Sequence, residues 1–160
     1  MALPQVLAQA AELQKLRLAY EGATPRQRLS VALQRINNPA AYPNDLVTRV
    51  SAVEAFARSL LANSGSSNRE EVLTNHRKLA KREATNLVEA YAKLHRTSPS
   101  AVFGEELWET FRLAVAARNL LVHECTYLDA QKYLPMAHFC TEVLFGLAKL
   151  SNTKAPKSAV

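Results

Sequence analysis

The sequence predicts an all-α protein, an up-and-down bundle of five to six helices. Three observations carry that expectation. Apolar residues recur at three- and four-residue steps along most of the chain. Glycine is scarce, at four residues, while the helix formers alanine, leucine, glutamate, arginine and lysine are plentiful. No segment alternates apolar and polar residues between turns, so no sheet is expected.

Each element follows from its own pattern. Leu3, Val6, Leu7, Ala10, Leu13 and Leu16 form one face of a first helix running to about Tyr20, and Gly22 stops it. Thr24-Pro25-Arg26-Gln27 reads as a capping box that opens a short second helix with Leu29, Leu33 and Ile36. Asn44 or Asp45 caps a third helix to about Asn63, with Leu46, Val50, Val53, Phe56, Ala57, Leu60 and Leu61 on its apolar face. Asn63-Ser64-Gly65-Ser66 is a turn. Ser67 or Asn68 opens the next helix, with Glu70 and Glu71 in the first turn where carboxylates complement the dipole. That helix is expected to run to about His95, where Thr97-Ser98-Pro99-Ser100 breaks it. A long helix from Glu105 to about Glu124 places Leu107, Phe111, Ala114, Val115 and Leu121 in the core. The last helix starts near Leu134-Pro135 and ends at Leu150.

The chain of 160 residues is the size of one domain, read as residues 1–150 with a flexible polar tail at 151–160. A composition of 48% hydrophobic and 21% charged residues allows a sizeable core without disulfides. Two cysteines, Cys125 and Cys140, are too few for a disulfide framework, and the N-terminus has neither signal-peptide nor transit-peptide character. A cytoplasmic location is therefore expected. No stretch approaches the roughly 18 uninterrupted apolar residues of a membrane span, so no membrane partner is expected. The net charge of +6 and pI near 9.5 suit a polyanionic partner such as nucleic acid without establishing one.

The chemistry concentrates in Ala117-Arg118-Asn119-Leu120-Leu121-Val122-His123-Glu124. Three polar groups interrupt an apolar helix, and each must be satisfied or exposed. Asn119 and His123 are four apart and share a face; Arg118 lies about 100° around but has a long side chain. The bland reading is a helix end that accepts cations because they complement its dipole.

Arg118-Asn119-Leu120-Leu121-Val122-His123 resembles the Arg-x4-His motif of the HEPN superfamily, small all-helical proteins of toxin–antitoxin, abortive-infection and RNA-processing systems. The resemblance spans roughly residues 45 to 150 in helix order and length. It also matches Glu54, in Ser51 to Phe56, to a position where an acidic residue often faces the arginine. It implies a metal-independent endoribonuclease, a toxin or defence effector, with no cofactor. Arg118, Asn119 and His123 would form the catalytic set, Glu54 would support it, and two copies would meet across a homodimer interface. It also implies an antitoxin or another regulatory protein as partner. One branch of the family has a tyrosine two residues after the histidine, which a partner nucleotidyltransferase modifies; Cys125 stands there in this chain, which argues against that mode of regulation.

A basic run, Asn75 to Arg82, sets Arg77 with Lys81 and Lys78 with Arg82 at four-residue spacing, a stripe that could follow an RNA backbone or be an ordinary solvated face. His123-Glu124-Cys125 and His138-Phe139-Cys140 do not read as metal sites, because residues two apart on a helix point about 200° apart. Cys140 reads as a buried small hydrophobe, and Glu124 beside Cys125 disfavours a thiolate nucleophile. Trp108 and Phe111 suit the core or a dimer seam better than base stacking. Tyr127 to Tyr133 could line a cleft rim or serve as a cap. The alternative to the enzyme is a non-catalytic module binding RNA, a nucleotide or a partner protein. A DNA-binding regulator ranks last, because no helix pair offers a recognition helix.

Overall fold

A computed structural model describes residues 3–21, 44–126 and 130–154. Among these the chain forms seven helices and no strand: α1 (Leu3–Glu21), α2 (Asn44–Asn63), α3 (Arg69–Leu79), α4 (Ala84–Leu94), α5 (Pro99–Phe103), α6 (Glu105–His123) and α7 (Ala130–Leu150). The all-α expectation holds. The helix expected over Thr24 to Ile36, with its capping box, lies outside the described residues, as does Tyr127.

Helix α2 is the axis of the packing, touching α3, α4, α6 and α7. Its Leu46, Val50, Val53 and Ala57 are fully buried, with Phe56, Leu60 and Leu61 partly so. Helix α6 supplies the opposite wall, where Phe111 and Ala114 are fully buried and Trp108 and Val115 nearly so. Trp108 stacks on Phe111 at 5.7 Å between ring centroids and on Phe103 of α5 at 6.3 Å. The aromatic pair therefore belongs to the core. Gly146 of α7 accommodates the Phe103 ring, where a Cβ would overlap it. Helix α1 packs on α6 through Val6 and Leu13, and Lys132 at the start of α7 donates to Glu12 at 2.8 Å. That hydrogen bond holds the exposed Glu12 carboxyl below its ordinary range.

Two elements depart from the periodicity reading. The helix expected from Asn68 to His95 is broken at 80–83 into α3 and α4, and the short α5, where only a breaker was expected, brings the described helices to seven against the expected five to six. In one continuous helix, the buried set Ala84, Leu87, Val88 and Tyr91 would face roughly 130° away from Leu79. The break re-phases the apolar stripe so that both segments meet the core. Consequently Arg77, Lys78, Lys81 and Arg82 do not form one helical stripe. Arg77 and Lys78 close α3, Lys81 and Arg82 occupy the turn, and all four are exposed. The last helix begins at Ala130, ahead of the expected Leu134-Pro135, and takes Pro135 into its interior. Tyr133, Met136, Ala137, Cys140, Val143 and Leu147 make one buried stripe that already starts before the proline. Burying Tyr133 helps offset the hydrogen bond that Pro135 cannot make.

The caps are mostly as the residues suggest. The Asn68 side chain accepts from the Glu71 N–H at 3.0 Å, and the Glu71 carboxylate accepts from the Ser67 N–H at 2.8 Å. This second bond, made to the backbone, draws the exposed Glu71 carboxyl below its usual range. Gly65 takes a φ of 72° in the turn after α2. After α6, Cys125 adopts a left-handed φ of 50° at a position where glycine is commonest.

Candidate functional site

All of Arg118, Asn119 and His123 lie on α6, and the helix turns them toward different neighbours. His123 stands about 140° around the axis from Arg118 and roughly 7.5 Å along it.

On the first side, Arg118 faces α2. Its Nη2 donates to Glu54 Oε2 at 2.6 Å, while Glu54 Oε1 accepts from Nη2 of Arg58 at 2.6 Å. The three side chains are largely enclosed, with exposures of 14% for each arginine and 20% for the glutamate. One carboxylate thus serves two guanidinium groups, leaving an excess of positive charge in a half-buried seam. Each guanidinium meets the carboxylate through one terminal nitrogen, and both Nε atoms are buried without an acceptor among the described residues. Glu54, matched to this position only through the family resemblance, pairs with Arg118. Arg58 went unnoticed in the sequence, although its i,i+4 spacing from Glu54 is a recognised ion-pair signal.

On the second side, α6, α1 and the start of α4 enclose a groove of about 680 Å³. Val6, Leu13 and Leu120 give it an apolar floor. Asn119 and His123 line one wall, and Asn119 Nδ2 donates to Glu83 Oε1 at 3.1 Å. His123 closes α6 and is exposed. Arg118 does not line this groove. Its charged lining is Glu83, Glu109 and Glu124 against Arg112, which Glu109 holds at 3.0 Å. The structure therefore brings Asn119 and His123 together and sets Arg118 with Glu54 elsewhere. The turn carrying Lys81 and Arg82 leads directly into Glu83 on the groove rim. No sequence pattern singles out Glu83 as the partner of Asn119, because that contact spans 36 positions.

The remaining candidates fall into place around these two sides. Cys140 is fully buried, and burial pushes its thiol up to about 12. Cys125 is exposed, and neither cysteine is in a disulfide. Among the described residues, no group of three or more His, Cys, Asp or Glu could hold a metal ion. Tyr133 is buried and does not reach the groove lining. No helix of the described residues is long and apolar enough to cross a membrane.

Comparison with known proteins returns no match: no family model fits the chain, and neither a curated protein nor a solved structure is similar to it.

Proposed function

We propose that the chain is a HEPN-like, metal-independent endoribonuclease acting as a homodimer, with the role of a toxin or defence effector. The observation that carries this reading is the groove wall formed by Asn119 and the exposed His123, bounded at Glu83 by the basic turn of Lys81 and Arg82. RNA cleavage of this type breaks the bond from phosphorus to the 5′-oxygen as the ribose 2′-oxygen attacks. It leaves a 2′,3′-cyclic phosphate and a free 5′-hydroxyl. The His123 imidazole can accept the 2′-hydroxyl proton or donate one to the departing 5′-oxygen. Asn119 would orient the ribose or the imidazole. A guanidinium fork suits the charge that builds on the phosphoryl oxygens, which is the role of Arg118. Within one chain Arg118 and His123 face apart, so the reading requires a second copy to complete the cleft. Arg77, Lys78, Lys81 and Arg82 would hold the flanking RNA backbone.

The test is purified protein with a mixed RNA pool in EDTA, beside His123→Ala, with the mass of the species in solution measured in parallel. Cleavage by the wild type, reduced about 10²- to 10⁴-fold in His123→Ala, is expected together with a dimer. Full activity in that variant, or cleavage by a monomer, would sink the proposal.

A second reading, a non-catalytic module that binds RNA, a nucleotide or a partner protein, has its own support. The groove lining holds three carboxylates against one arginine, and Arg118 is engaged by Glu54. In this module any RNA would be held by the cations of α3 and the following turn rather than in the groove, with a steep salt dependence and no product. An antitoxin or other regulatory partner belongs to either reading.

A further inference from the structure

The seam between α2 and α6 holds a cluster whose charges do not balance. Arg58 and Arg118 share the single carboxylate of Glu54, each at 2.6 Å and each through one Nη. An arginine has five N–H donors arranged as a fork that matches two oxygens of a carboxylate or phosphate. Here neither fork is closed on a protein anion, and both Nε atoms lack an acceptor among the described residues. Two guanidinium groups held apart by a carboxylate between them form a ready frame for one further anion, and enclosure strengthens its attraction. The side chains retain 14–20% exposure while both Nε atoms are buried, so an anion would enter by displacing Glu54 from the Nη groups. Helix α2 fixes Arg58 and Glu54 on one face, four residues apart, and α6 brings Arg118 from across the seam.

We propose that Arg58 and Arg118 together form a binding site for a phosphate group, in which Glu54 is the resident counter-ion that the incoming phosphate displaces from one or both arginines. No covalent step is involved. Phosphate carries the charge that the cluster lacks and offers oxygens to both forks. Glu54 keeps the arginines parted and oriented while no phosphate is bound, and it lowers affinity because it competes for the same donors. The identification of the anion as an RNA phosphodiester rests on the ribonuclease reading; the phosphate site itself does not.

The experiment is a titration of the intact chain with inorganic phosphate, followed by the Nε–H signals of its arginines in nitrogen-15 spectra, with chloride at matched ionic strength as reference. Saturable shifts at Arg58 and Arg118, absent with chloride, are expected. Arg58→Gln should weaken phosphate binding about tenfold, and Glu54→Gln should tighten it by a similar factor. Shifts equal in chloride, or a phosphate affinity unchanged in Arg58→Gln, would overturn the proposal. Arg58→Lys keeps the charge beside Glu54 and removes only the fork, so it replaces Arg58→Gln if that variant does not fold. Saturable phosphate binding without RNA cleavage would sink the ribonuclease reading and leave this site standing. Cleavage without saturable phosphate binding would do the reverse.

Discussion

The two polar sides of α6 are held in opposite ways. Toward α2, Arg118 lies in an enclosed seam where two arginines depend on one glutamate. Toward α1, Asn119 and His123 border an open groove, where Asn119 donates to Glu83. In the seam, charge is removed from water and its partner becomes a structural necessity. In the groove, water remains an alternative partner and each contact contributes little to folding. The same helix thus combines an enclosed, charge-paired side chain with side chains that border an open groove.

The thiols offer the widest test of that contrast. Cys125 lies just beyond His123 at the exposed end of α6, whereas Cys140 is fully buried in α7. One thiol should react promptly with a disulfide reagent at pH 8. The other should react at least about a thousandfold more slowly, at a rate set by unfolding. Prompt release of two thiols from native protein would show that the core opens more freely than its packing indicates.

Glu54→Ala comes next. It strands two largely enclosed guanidinium groups and should cost about 3 kcal/mol in denaturant unfolding. Arg58→Ala should cost less, because Glu54 then still answers Arg118. Equal losses would mean that the two ion pairs act as one unit rather than as two bonds on a shared carboxylate.

Asn119→Ala removes one exposed hydrogen bond and should cost about 1 kcal/mol or less. The smallest effect on stability belongs to His123→Ala, within about 0.5 kcal/mol, because an exposed residue in a last helical turn has little packing to lose. Read beside its activity, that variant separates a functional histidine from a structural one. A loss above about 2 kcal/mol on unfolding would make the groove wall structural and erase the contrast between the two sides.

Much of the fold was legible because a helix is a local object. The α2 stripe from Leu46 to Leu61, the Asn68 cap and the break at Ser98-Pro99 depend on residues within a few positions of one another. The α6 span, expected from Glu105 to about Glu124, followed from its apolar run and ends at His123. The break at 80–83 was harder to see, because Lys81, Arg82 and Glu83 are all compatible with a helix. Its cause is the mismatch in direction between Leu79 and the stripe of Ala84 to Tyr91, which matters only once both must face one core. Pro135 misled in the other direction. Its local preference is for a helix start, and the burial of Tyr133 two residues earlier outweighs it.

For the candidate site, sequence spacing by itself determined that Asn119 and His123 share a face, because 3.6 residues per turn leaves no alternative within a helix. It left Arg118 about 100° around, with a side chain long enough to swing toward the same region. Which neighbour would take the guanidinium was decided by tertiary structure alone: Glu54 lies 64 positions away, and only the packing of α2 against α6 brings it within 2.6 Å. The same holds for Glu83 and Asn119, 36 positions apart. Backbone periodicity is set by short-range sterics and hydrogen bonds, which the local sequence carries. Long polar side chains have many rotamers of similar energy, and their direction is settled by whichever partner the assembled bundle presents.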